Sequence, residues 1–250
     1  MMQVYRRLSE LKKYRFEARD GRIGSPEEVY FDDGQWKVRY FVVHTGVWFF
    51  GSDVLILPGM ITGVDDENNT LRVDLTRERI KNSPPAETAR PVSRHYEEQY
   101  YAYYGLQPYW SGIPLAGSAA KPLEPSFKEE FIREPPDMNL RSSKAVTGYT
   151  IRAVDGSIGH VRDFILGDEH WDIRYLEVDT GSWLPGRKVV IAPSWITEVD
   201  WVLKEVSVKL DRKAIETAPE YDPDRLISRH YELEVFRHYS TSIQEEKKDD

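Results

Sequence analysis

No cysteine occurs among the 250 residues, so disulfides, thiolate zinc sites, iron–sulfur clusters and cysteine nucleophiles are excluded together. Long apolar runs are missing as well. Stretches such as Val47–Phe50 and Val54–Leu57 are strand-sized, far short of the ~20 residues that a membrane-spanning helix needs. Basic charge is in deficit: Lys+Arg 34 against Asp+Glu 42 leaves a net charge of -8 and a pI near 5.4. That is the wrong sign for gripping phosphate backbones over a wide surface, so nucleic acid is not an expected partner. Residues 1–20 carry Arg6, Arg7, Lys12, Lys13 and Arg15 without an apolar core or a small-residue cleavage site, unlike an export signal. A cytoplasmic location is expected. The Gly-x-Ser-x-Gly elbow, the phosphate loop ending in Lys-Ser/Thr and the Gly-x-Gly-x-x-Gly turn are all lacking. The chain is therefore read as non-enzymatic, with no cofactor and no metal implied.

What is present is repetition. At roughly 150 residues per domain the length allows one or two domains, and a fixed offset decides for duplication. Trp36 and Trp171 lie 135 positions apart, and the same offset sets Asp20-Gly21 on Asp155-Gly156, Ile23-Gly24 on Ile158-Gly159 and Arg39-Tyr40 on Arg174-Tyr175. Without a gap it carries Thr45-Gly46 onto Thr180-Gly181, Trp48 onto Trp183, Pro58 onto Pro193, and Ser93-Arg94-His95-Tyr96-Glu97 onto Ser228-Arg229-His230-Tyr231-Glu232.

Each copy has the rhythm of short strands. Val38, Tyr40 and Val42 alternate with Arg39 and Phe41, and Val206, Val208 and Leu210 alternate with polar residues, as Leu71, Val73 and Leu75 do. The Asp-Gly pairs mark hairpins, and Pro58 and Pro193 end strands because proline cannot donate to a ladder. Five or six such strands in about 70 residues predict a small closed or half-open barrel.

The second copy reads Asp155-Gly156-x-Ile158-Gly159, then Asp179-Thr180-Gly181-Ser182-Trp183-Leu184-Pro185-Gly186-Arg187-Lys188-Val189-Val190-Ile191-Ala192-Pro193, then Trp195-Ile196. This resembles the PRC-barrel domain, known from the cytoplasmic part of the photosynthetic reaction centre H subunit and from the C-terminal domain of a ribosome maturation factor. The resemblance covers about 70 residues of each copy. The first copy keeps the frame but has Val47-Trp48-Phe49-Phe50-Gly51 in place of Leu-Pro-Gly, and Ser52-Asp53 in place of Arg187-Lys188. The family has no common catalytic motif, and what the resemblance implies is an adaptor. It also raises an accessory subunit of a photosynthetic or electron-transfer membrane complex, and a ribosomal or RNA-processing factor that would use a basic surface around Arg187 and Lys188.

The expected architecture is all-β: two tandem PRC-like barrels over 1–90 and 146–218, each followed by a short helix. A Pro-rich linker occupies part of 91–145, and a C-terminal helix with a charged, disordered tail occupies 219–250. In the first helix Ser93 is a cap, and Tyr96, Tyr100, Tyr103 and Tyr104 share one face; Tyr231, Val235, Phe236 and Tyr239 match them. The stripe either packs on the barrel or meets a partner.

Candidate contacts follow from these features. They are Arg94, His95, Tyr96, Tyr100 and Tyr104 on the first helix, Arg229, His230 and Tyr231 on the second, the basic pair Arg187 and Lys188, and Trp201, with Trp48 and Trp183 as further anchors. His95 and His230 either serve a site used twice or hold a helix start. If Arg94/His95 and Arg229/His230 faced one ligand, a small-molecule or enzymatic role in an inter-barrel cleft would follow. Asp65-Asp66-Glu67-Asn68-Asn69 has the composition of a calcium loop without its spacing, and reads as a polar hairpin turn. The leading expectation is a non-catalytic adaptor or scaffold for protein partners of unknown identity. A homodimer and peripheral contact with a membrane complex are also compatible with the sequence.

Overall fold

The computed structural model describes residues 4–49, 51–84, 92–110, 140–181 and 183–249. Among the described residues strand makes up 41% and helix 26%, so the fold is mostly β without being all-β. Two compact units form. Unit 1 comprises Met1–Leu11, Gln35–Val38 and Ser143–Asp250, and unit 2 comprises Lys12–Gly34 and Arg39–Ser142.

In unit 2 the strands are β2 (Arg15–Ala18), β3 (Gly21–Asp32), β4 (Lys37–His44, shared with unit 1 at its start), β5 (Asp53–Ile56), β6 (Ile61–Asp65), β7 (Thr70–Val73) and β8 (Leu140–Ser142). They pair in the order β4-β3-β2-β7-β6, with β5 on β4 and β8 on β3. The two ends of this path, β5 and β6, follow one another in the chain through a 3-10 turn, Pro58–Met60. No ladder joins them among the described residues, so the sheet is open there. Proline fits this place because its missing N–H is not needed at the first position of such a turn.

Unit 1 repeats the plan with β9 (Thr150–Ala153), β10 (Gly156–Gly167), β11 (Asp172–Asp179), β12 (Lys188–Ile191), β13 (Ile196–Asp200) and β14 (Glu205–Val208). Their order is β13-β14-β9-β10-β11, with β12 on β11. Its extra strand is β1 (Tyr5–Arg7), set on β10 so that Tyr5 faces Gly167 and Arg7 faces Ile165. Unit 2 has the same arrangement, with Leu140 of β8 facing Asp32 and Ser142 facing Tyr30. At the repeat offset β1 and β8 are equivalents, so each unit is completed by the first strand of the other sequence copy. An arginine on each exchanged strand is held by an aspartate at the end of its partner hairpin: Arg6 to Asp168 at 3.1 Å in unit 1, and Arg141 to Asp33 at 2.7 Å in unit 2.

The strand expectations hold in outline. Ala18 pairs with Gly21 and Ala153 with Gly156, so both Asp-Gly sites are hairpins. Their aspartates also accept from a helix start: Arg77 N–H donates to Asp20 and Arg212 N–H to Asp155, each at 2.8 Å. These short helices are α2 (Arg77–Lys81) and α5 (Arg212–Glu216). The alternation expected of β4 gives way to continuous burial from Val38 to Val43, because its outward residue Arg39 is also covered and pairs with Asp32 at 3.0 Å.

Two further short helices, α1 (Leu8–Leu11) and α4 (Ser143–Val146), follow the exchanged strands. The two longer ones are α3 (Arg94–Tyr104) and α6 (Arg229–Asp249). Ser93 caps α3 by accepting from Tyr96 N–H at 3.2 Å, and Ser228 does the same for Tyr231 N–H at 3.1 Å. The expectation of a short second helix with a disordered tail is corrected: α6 runs 21 residues, to Asp249. Glu and Lys are good helix formers, so the charged end can continue the helix. Linker residues 111–139 lie outside the described residues.

Two glycines are demanded by packing. A Cβ at Gly24 would lie 1.9 Å from the His44 carbonyl oxygen, and one at Gly159 2.0 Å from that of Asp179. Both obstacles are backbone, which cannot swing aside as a side chain tip does. Gly24→Ala and Gly159→Ala are each expected to cost about 1–3 kcal/mol or more through overpacking, read as a lower denaturation midpoint. Gly59→Ala, whose added carbon meets nothing within 4 Å, should change stability by no more than about 1 kcal/mol.

Candidate functional site

A glutamate on the first turn of each long helix meets a tyrosine on β4 or on its equivalent β11. In unit 2 Glu97 is 0% exposed and accepts from the Tyr40 hydroxyl at 2.9 Å, while Arg94 lies 3.3 Å from its other oxygen. In unit 1 Glu232 accepts from Tyr175 at 3.3 Å and from Tyr5 of the exchanged strand at 2.6 Å. Burial, and next the bond to Glu232, push the Tyr5 hydroxyl up to about 12. Burial likewise raises Tyr175, and raises Tyr40 well above the ordinary phenol value. These hydroxyls therefore stay protonated at neutral pH and can donate to the carboxylates.

Around Glu232 lies an open cleft of about 760 Å³ in unit 1, within the range of roughly 300–1,000 Å³ typical of ligand sites. Its walls include Arg174 and Tyr175 of β11, the Pro193 turn, and Arg229, Glu232, Leu233 and Phe236 of α6. Arg174 is exposed and pairs with Asp172 at 3.1 Å. Leu233 and Phe236 are 54% and 60% exposed, and Leu226 just before the helix is 76% exposed. The cleft thus combines two arginines, a satisfied carboxylate and an apolar lip.

The equivalent place in unit 2 is filled. After α3 ends at Gly105, in the left-handed conformation that glycine tolerates, Tyr109 and Trp110 return to the helix. The Arg39 guanidinium lies 3.7 Å from the Tyr109 ring centre, and that of Arg94 lies 3.9 Å from the Trp110 ring centre. Both rings also contact Tyr101, at 6.2 and 5.5 Å between centres, and Tyr109 comes within 3.4 Å of both Glu97 oxygens. At the repeat offset Arg39, Arg94, Glu97 and Tyr101 are Arg174, Arg229, Glu232 and Phe236.

The sequence-derived candidates are dispersed. Tyr96, Tyr100 and Tyr104 are buried, at 5%, 0% and 6% exposure, so as partner contacts they are set aside and the packing alternative describes them. Tyr100 stacks on Tyr96, meets Tyr104 at a tilt and Tyr40 edge-on, and its hydroxyl donates to the Leu55 carbonyl. Tyr231 turns inward and donates to the Pro219 carbonyl at 3.4 Å. His95 and His230 are exposed beside Gln99 and Glu234 on their own helices. Arg187 and Lys188 are committed inside unit 1, where Arg187 donates to the Ala218 carbonyl and Lys188 lies 3.6 Å from buried Glu177.

Trp201 is half-buried near Tyr149, below the exposed hairpin tip Val202-Leu203. Trp183 lies under Arg212, and the Trp48 side chain lies outside the described residues. Asp65–Asn69 forms the turn between β6 and β7, with Asp65 bound to Asn68 and Arg72. Among the described residues, no group of three His, Cys, Asp or Glu could hold a metal, and no helix is long and apolar enough to cross a membrane. Of the candidates, only Arg229 borders the cleft. Glu97 and Glu232 recur in the aligned Ser-Arg-His-Tyr-Glu run, and that recurrence was their signal. No protein-family model and no curated protein matches the chain.

Two outcomes are expected. Glu97→Ala removes a fully buried acceptor and should cost about 3 kcal/mol or more. Glu232→Ala, at a half-buried site, should cost less, about 1.5–3 kcal/mol, both read by chemical denaturation. Glu177 behaves differently, because burial raises its carboxyl above the ordinary range, against the pull of Lys188. Its folded form holds the proton more tightly than its unfolded form. Stability from this group is therefore greatest at low pH and is lost as pH rises from about 4, the ordinary glutamate value, through the raised one. Relative to Glu177→Gln, the wild type should lose stability over that rise, measured as paired denaturation midpoints against pH.

Proposed function

We propose that the protein is a non-catalytic adaptor, built of two PRC-barrel-type modules, that binds protein partners through the lip of the unit 1 cleft. The barrel reading draws support from the six-strand path in each unit, whose end strands are bridged by one short turn as a half-open barrel requires. The adaptor reading rests first on one observation: Leu233 and Phe236, which line the cleft, are both more than half exposed. Large apolar side chains gathered at a cleft mark interaction surfaces far more than scattered ones do. Arginine and aromatic residues beside them match the composition of interface centres. A cytoplasmic site of action belongs to the same proposal.

The test is affinity capture from the lysate of the source cell with wild type, Leu233→Ser/Phe236→Ser, and Val202→Ser/Leu203→Ser, all first shown to be folded. A protein held by wild type and by the hairpin variant, but lost from the helix variant, is the expected result. Recovery of no protein, or equal recovery by all three, would overturn the proposal.

A further inference from the structure

We propose that the unit 1 cleft is a receptor for an aromatic peptide segment of a partner protein, a Tyr–Trp pair or its like. That segment would sit on Arg174, Arg229 and Phe236 as Tyr109 and Trp110 sit on Arg39, Arg94 and Tyr101 in unit 2. This rests on the adaptor reading above and names what the cleft takes.

The argument is an internal comparison. The two units share the strand arginine, the helix arginine and the helix glutamate at one offset, and both glutamates accept from the matching strand tyrosine. In unit 2 the chain itself supplies the occupant, and the occupied geometry is specific: each guanidinium lies over one ring, at 3.7 and 3.9 Å from its centre. Guanidinium groups favour this because the face of an aromatic ring is electron-rich. The covered residue Tyr101 is 7% exposed, whereas its counterpart Phe236 is 60% exposed.

The offset that leads from Arg94 to Arg229 leads from Tyr109-Trp110 to Gln244-Glu245. Those residues belong to the continuous helix α6 rather than to a returning loop, so the second copy carries no aromatic pair of its own there. Chemistry at the lip also departs in the direction of a receptor. Exposed Glu98 of α3 is replaced by Leu233, which adds apolar surface where an incoming ring would lie. Arg229 has no hydrogen bond or ion pair to a described residue, while Arg94 is already engaged with Glu97 and Trp110. A volume of about 760 Å³ accommodates two aromatic side chains and the short backbone between them.

The experiment uses the full chain and a labelled peptide of the sequence Leu106–Trp110, followed by fluorescence anisotropy. Saturable binding is expected. Arg229→Ala should weaken it about three- to thirty-fold, the range that a cation–π contact carries, and Phe236→Ala about two- to twelve-fold, the range of an aromatic pair. Arg94→Ala should not weaken it, and a peptide with Leu in place of both aromatics should not bind. Circular dichroism would establish that Arg229→Ala and Phe236→Ala, both at exposed positions, remain folded.

Absence of saturable binding up to about 1 mM, the weak end of useful affinity, would overturn the proposal. So would binding that Arg229→Ala and Phe236→Ala leave unchanged. Self-association of the chain lost in both Arg229→Ala and Trp110→Ala, seen by sedimentation, would make a second copy the occupant and would also overturn it. Capture of a partner at the same lip without peptide binding would leave the adaptor reading standing while this inference fails.

Discussion

A carboxylate received by a tyrosine hydroxyl holds the helix to the sheet in each unit, and much else depends on that contact. Glu97 with Tyr40 fixes the start of α3, and Glu232 with Tyr175 and Tyr5 fixes the start of α6. With the anchor in the first helical turn, later turns pack aromatic rings against the unit, Tyr100 on Tyr40 and Tyr239 on Trp195. Such aromatic pairs add about 0.5–1.5 kcal/mol each beyond their burial. A buried carboxylate is unfavourable unless its oxygens are satisfied, so the anchor and the packing around it support one another.

Much of the strand plan can be read directly from the sequence. The 135-residue offset, the Asp-Gly hairpins and the prolines that stop Leu57 and Ala192 correspond to observed elements. The serine caps are equally legible, since their geometry is local. The exchange of β1 and β8 is not, because three residues carry no usable periodicity and β3 and β10 offer them equivalent edges. Burial of Arg39 escapes a period-two reading for a related reason. What covers it is Tyr109, 70 positions away in the sequence.

The candidate site shows a different limit. Matching positions in a duplicated sequence point to what both copies need, and here that is the helix anchor: Arg, Tyr and Glu in Ser-Arg-His-Tyr-Glu. A function carried by one copy lies where the copies diverge. Leu233 in place of Glu98, Phe236 in place of Tyr101, and a helix in place of the Tyr109-Trp110 return are all such divergences. His95 and His230 drew notice because histidine is so often chemical, yet both point to solvent.

The exchanged strands also set an order for assembly on the ribosome. Unit 2 lacks β8 until Ser142 has been made, well after its other strands are complete. Residues Tyr5–Arg7 wait longer still, because their partner segment of β10 ends at Gly167. A segment made before the strands of both units is thus among the last to be paired, and it bridges more than 150 residues when it does. Contacts of such long sequence separation slow folding, and an unpaired strand edge is exposed to wrong neighbours meanwhile. The nascent chain must keep β1 soluble through that interval, and Arg6 and Arg7, two of its three residues, supply charge for doing so.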